Sequence, residues 1–116
     1  MAANTKCIII QPEGSYVVKK WPKSVAKQTD LLTSEVRGFF EAVRVDDFTM
    51  WVADAGAIRN DPVNPIASGM ARLPLYGVAV VTGGTSPAGD TYGLTPEQHD
   101  KVIERFAHWQ WKTLPF

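Results

Sequence analysis

Few residues in this chain carry side chains that can do chemistry. Cys7 is the single cysteine, and His99 and His108 are the two histidines. A catalytic thiol needs a neighbouring base and an accessible, electropositive setting. Cys7 lies instead in the apolar run Cys7-Ile8-Ile9-Ile10, which reads as a buried structural thiol. The histidines fall on one predicted helix, roughly 13 Å apart along its axis, too far to share a metal ion. Asp46, Asp47 and Asp54 sit in turn segments, where aspartate serves the backbone. Glu41 stands mid-strand among apolar residues. If buried, it requires an arginine such as Arg44, Arg59 or Arg72. No complete catalytic set emerges, so the expectation is a non-enzymatic protein without cofactor or metal.

A glycine-rich segment offers a different chemistry. Gly84-Thr85-Ser86-Pro87-Ala88-Gly89-Asp90-Thr91 follows a strong strand and has the spacing of a phosphate loop. Asp90 occupies the place of the lysine that meets the β- and γ-phosphates, and a carboxylate there repels them. A Walker-type site is therefore excluded. The alternative function is binding or sequestration of a small anionic ligand or nucleotide signal under the Gly83–Gly93 loop, with Gly84, Thr85, Ser86, Gly89 and Thr91 as its candidate residues and the backbone amides as donors.

Charge adds little. The chain is formally neutral, with 12 Lys+Arg and 12 Asp+Glu. Residues 1–29 hold Lys6, Lys19, Lys20, Lys23 and Lys27 against Glu13 alone, so the opening segment is cationic and the remainder anionic. Lysines interleaved with Tyr16 and Trp21 resemble a single-strand nucleic-acid surface. Without arginine or net positive charge, a solvated face explains them better, and nucleic acid is not an expected partner. Neutrality also weakens the repulsion that keeps small proteins monomeric.

The aromatic residues give the main positive signal. Trp21 precedes Pro22, and Trp109, Trp111 and Phe116 crowd the end of the chain. Tryptophan is favoured at contact surfaces. These four residues are the candidate partner-binding set, for another protein or for a second copy of the chain in a homo-oligomer such as a dimer. The competing reading is a core that reaches the last helix and absorbs them.

The elements that must position these groups follow from pattern. Lys6–Gln11 and Tyr16–Trp21 flank the turn Pro12-Glu13-Gly14-Ser15 and read as a hairpin. Ser24 caps a helix to Val36, with Val25, Leu31, Leu32 and Val36 on its apolar face and Gly38 as its terminator. Phe39–Val45 and Phe48–Val52 are paired strands around Asp46-Asp47, and Ala57-Ile58-Arg59 extends briefly after the Asp54–Gly56 turn. Asn64 and Pro65 open a short helix over Ile66–Arg72. Leu75–Thr82 is continuously apolar and fits a central strand covered on both faces. An eleven-residue loop, Gly83–Gly93, follows. Thr95, Pro96 and Gln98 form a capping-box start for a helix running to Trp109 or Trp111, with Val102, Ile103, Phe106 and Trp109 or Gln110 inward.

The expected fold is α+β: a mainly antiparallel mixed sheet of about five strands, one long C-terminal helix and one or two shorter helices, with the helices on one face. At 116 residues the chain is a single domain, 1–116. Its 45% hydrophobic and 21% charged residues exclude a disordered chain, a collagen repeat or a coiled coil. No apolar run reaches membrane-spanning length and no signal-like segment opens the chain. A lone cysteine fits a reducing cytoplasm.

Four motifs between Phe39 and Gly83 carry a resemblance: Phe40-Glu41-Ala42-Val43, Trp51-Val52-Ala53-Asp54-Ala55-Gly56, Asn64-Pro65-Ile66-Ala67 and Tyr76-Gly77-Val78-Ala79-Val80-Val81-Thr82-Gly83. Together they resemble a family of small uncharacterised domains from bacteriophages and mobile elements, especially of actinobacteria. The resemblance implies a phage-encoded accessory protein acting in the host cytoplasm, so that the partner of Trp21, Trp109, Trp111 and Phe116 is a host protein or a second copy of the chain. It supplies no catalytic residues.

Overall fold

A computed structural model describes residues 5–56 and 58–113. Five strands, β1 (Lys6–Ile10), β2 (Tyr16–Lys20), β3 (Phe40–Val45), β4 (Phe48–Ala53) and β5 (Ala79–Thr82), form one sheet in the order β2-β1-β5-β4-β3. Every pairing is antiparallel. Three helices complete the α+β fold: α1 (Val25–Val36), α2 (Pro65–Ala71) and α3 (Pro96–Thr113).

The expected central strand is central. All four residues of β5 are fully buried. It is shorter than its apolar run, however, because the chain turns before it reaches the sheet. Tyr76 bridges Val63, and Gly77 at φ 77° donates its N–H to Pro62 O over 2.7 Å.

The helices lie on both faces of the sheet, not on one. In β1, Ile8 and Ile10 point to a core shared with Ile66, Met70, Val102 and Phe106 of α2 and α3. Cys7 and Ile9 point to the opposite core, with Trp21 and Leu32 of α1. Four consecutive apolar residues in one strand require covering layers above and below.

Local chemistry explains the ends of α1. Ser24 Oγ accepts from Lys27 N over 3.2 Å. Leu32 and Val36 are buried, but Val25 is 65% exposed, since the first turn overhangs the sheet. The left-handed cap falls on Arg37 (φ 60°) one residue before Gly38. Arg59 donates to the carbonyls of Val36 and Arg37 and is itself held by Asp61. That side-chain cap satisfies carbonyls a helix otherwise leaves open. Ala57 lies outside the described residues. Ile58 and Arg59 belong to a turn and extend no strand.

At the start of α3 the expected capping box is formed. Gln98 N donates to Thr95 Oγ1 (3.1 Å), and Thr95 N donates to Gln98 Oε1 (3.0 Å). Gln98 Nε2 also reaches Asp47 O over 2.9 Å, which ties the helix to the β3–β4 turn. Thr95→Ala should therefore cost about 1 kcal/mol, the usual loss for a helix N-cap. A urea titration with an unchanged slope checks it; a shift of the midpoint to higher urea would count against the box.

Candidate functional site

The tie between α3 and the β3–β4 turn brings three arginines from distant parts of the sequence to one place. Arg105 lies two helical turns beyond Gln98 and ion-pairs with Asp46. Its guanidinium sits 5.5 Å from the centre of the Phe48 ring. Arg44, at the end of β3, directs Nε towards Asp46 O at 3.5 Å. Arg72 is the C-cap of α2, held in the left-handed conformation at φ 60°. These three, with Asp46, His108 and Trp109, line a cleft of about 550 Å³.

The cleft owes its shape to α2. Asn64, fully buried, accepts from Ala67 N (3.1 Å) to start that helix, and its amide donates to Ile10 O (3.1 Å) and Gly77 O (2.9 Å). Pro65 takes the first helical position. A short helix so fixed places Gly69 against Trp109, where any Cβ would overlap the indole. Glycine is required there by close approach. His108 stands edge-on to the same indole, at 90° and 5.2 Å between centroids.

Chemically, this is a cationic, partly aromatic cleft. Asp46 is its one carboxylate, and Arg105 already engages it. Guanidinium forks bind phosphate and carboxylate in bidentate fashion, which lysine cannot do.

Of the residues singled out in the sequence, Trp109, His108 and Asp46 reach the cleft, as do Arg44 and Arg72, which read in the sequence only as partners for Glu41; the others are placed elsewhere. Trp21 is only 3% exposed and donates Nε1–H to Thr91 O over 3.1 Å, so it anchors the glycine loop from within the core and presents no surface. Trp109 is half-buried on Gly69 and lines the cleft. Trp111 is 67% exposed. Phe116 lies outside the described residues. The core thus absorbs part of the aromatic set.

The glycine loop closes on itself. Thr85 and Thr91 form a bridge, Ser86 N donates to Asp90 O (2.8 Å), Gly89 N to Ser86 O (2.9 Å) and Asp90 N to Ser86 Oγ (3.1 Å). Gly83 N and Tyr92 N are engaged across the base of the loop. Of the amides expected to cradle an anion at Gly84, Thr85, Ser86, Gly89 and Thr91, those of Ser86 and Gly89 are therefore spent within the loop. Gly83 has no room for a side chain, because a Cβ would meet Gly93 O.

Glu41 is exposed, so it needs no buried partner. Cys7 is fully buried, and burial, reinforced by the Glu35 carboxylate, raises its thiol from 9.0 to about 11. His99 rests 3.3 Å from Asp100, while His108 joins the cleft. Among the described residues no group of three or more His, Cys, Asp or Glu could hold a metal ion. No described helix is long and apolar enough to cross a membrane.

The family described as Domain of unknown function (DUF3846) matches residues 5–107, a span that takes in every strand, α1, α2 and most of α3. No curated protein and no solved structure matches the chain. With nine-tenths of its length inside that match, the chain belongs to the DUF3846 family.

Proposed function

We propose that this chain is a non-enzymatic binding module that holds a phosphate-bearing ligand in the arginine cleft. Arg72 carries the proposal. A non-glycine residue in the left-handed region costs on the order of 1 kcal/mol, and glycine is the usual occupant of a helix C-cap of this kind. Arg72 accepts that cost, yet its guanidinium has no ion-pair partner among the described residues. The left-handed backbone closes α2, with Arg72 N–H donating to Ser68 O, so the conformation serves the helix end and the unpaired guanidinium is what remains for a ligand. With Asp46 engaged by Arg105, Arg44 and Arg72 leave two positive charges uncompensated at the cleft, which favours a multiply charged anion over a single carboxylate.

Titration with inorganic pyrophosphate at low salt, followed by amide shifts, tests this reading. Saturable shifts should map to Arg44, Arg72, Arg105 and His108. Arg72→Gln should weaken binding on the order of tenfold, the value of one charge-assisted hydrogen bond, with no loss of melting temperature. Shifts spread evenly over the lysines of residues 19–27 would refute it.

The motif resemblance across Phe39–Gly83 supports a phage or mobile-element setting, with action in the host cytoplasm, as part of the same proposal. A second reading keeps to aromatic contact: Trp111, exposed on α3, docks on a second copy of the chain. Light scattering across a concentration series decides it, since Trp111→Ala should abolish any dimer seen with the native chain.

A further inference from the structure

We infer that the ligand of the arginine cleft is a nucleotide, its base stacked on Trp109 and its phosphates held by Arg72 and Arg44; this rests on the anion-binding reading above. The cleft is too large for a bare anion. At about 550 Å³ it falls within the ~300–1,000 Å³ range of small-molecule sites. A phosphate on two guanidinium groups fills a small part of that space.

The rest of the cleft carries a built aromatic wall. The backbone of Gly69 covers one face of the Trp109 indole and His108 stands perpendicular to it, while the half-buried ring keeps part of its surface in the cleft. The ring is therefore fixed before any ligand arrives, which removes an ordering cost from binding. Helical spacing then sets charge beside the ring. Arg105 precedes Trp109 by four residues on α3, and Arg72 follows Gly69 by three at the end of α2. The four-residue spacing makes Arg105 and Trp109 neighbours on the surface of α3, while Arg72, the left-handed C-cap of α2, lines the same cleft. An aromatic ring and guanidinium groups lining one cleft match a base joined through a sugar to phosphate. Stacking on an aromatic side chain suits any base, so the class is set by this geometry and the particular base is not.

Isothermal titration with pyrophosphate, adenosine and ADP tests the inference. For the native chain ADP should bind about tenfold tighter than pyrophosphate, the order expected for one stacked base, and adenosine alone should bind far more weakly than either. Trp109→Leu should erase the advantage of ADP and leave pyrophosphate binding in place. Trp109→Phe, which keeps a smaller ring against Gly69, should retain part of it and guards against a leucine variant that fails to fold. Arg72→Gln should weaken ADP and pyrophosphate alike. Equal affinity of the native chain for ADP and pyrophosphate overturns the nucleotide assignment while the anion site stands. Failure of both to bind overturns the site itself.

Discussion

Replacing Asn64 with leucine should destabilise the protein by about 4 kcal/mol, enough to leave a small domain marginally folded. The side chain is fully buried and makes three hydrogen bonds. Its Oδ1 caps α2, and its Nδ2 joins the end of β1 at Ile10 to the approach to β5 at Gly77. Leucine removes all three at nearly constant volume. The Ala67 N–H and two carbonyls are left buried without these partners, at about 1–3 kcal/mol each before relaxation. Aspartate separates the two roles. It keeps the cap acceptor but turns a carboxylate towards two carbonyls, so Asn64→Asp should also be strongly destabilised at neutral pH. That loss should shrink in acid, where the protonated carboxyl can donate once. Urea unfolding of both variants measures this. A leucine variant within 1 kcal/mol of the native chain would show that Asn64 is a local cap only.

The same residue shows why much of the fold is legible in the sequence. Asn64 with Pro65, and Thr95 with Gln98, act over three or four residues, and each starts its helix where the pattern places it. The Asp46-Asp47 turn and the apolar β5 are equally local signals. Features that depend on distant parts of the chain are not legible in this way. Trp21 reads as an exposed ring beside a proline until the glycine loop folds over it and offers the Thr91 carbonyl. The second helical layer follows from Cys7–Ile10 being buried on both faces, but nothing in that run says that α1 is what covers one of them. The arginine cleft is the extreme case. Arg44, Arg72 and Arg105 look in sequence like candidate partners for acids or like surface charge. Only the packing of α2 on α3 at Gly69, together with the tie from Gln98 to Asp47, draws them together. No local signal marks them: Arg72 ends α2 where glycine is usual, but Arg37 ends α1 in the same way outside the cleft.

Alkaline pH should expose the buried thiol as a stability determinant. Cys7 is fully buried, and desolvation raises its pKa from 9.0 to about 11, with the Glu35 carboxylate adding to the shift and Lys19 opposing it. The folded state therefore holds the thiol proton more tightly than the unfolded chain. Well below pH 9.0 both states are protonated and Cys7 contributes no pH dependence. Between pH 9.0 and about 11 the unfolded chain loses the proton first, so stability falls as pH rises. A shift of this size corresponds to about 3 kcal/mol across the window. Lysines titrate in the same range, so the comparison must be with Cys7→Ala, which keeps them. The alanine variant should be less stable at pH 7, because the sulfur leaves a small void between Ile9, Trp21 and Leu32. Its stability should then decline less steeply above pH 9, so that the two chains converge near pH 11. Parallel curves would mean that the thiolate is tolerated where it stands, which a dry site between α1 and the sheet does not allow. The same burial predicts that a thiol reagent at pH 8 labels Cys7 only as fast as the protein opens, and that urea at the unfolding midpoint accelerates labelling sharply.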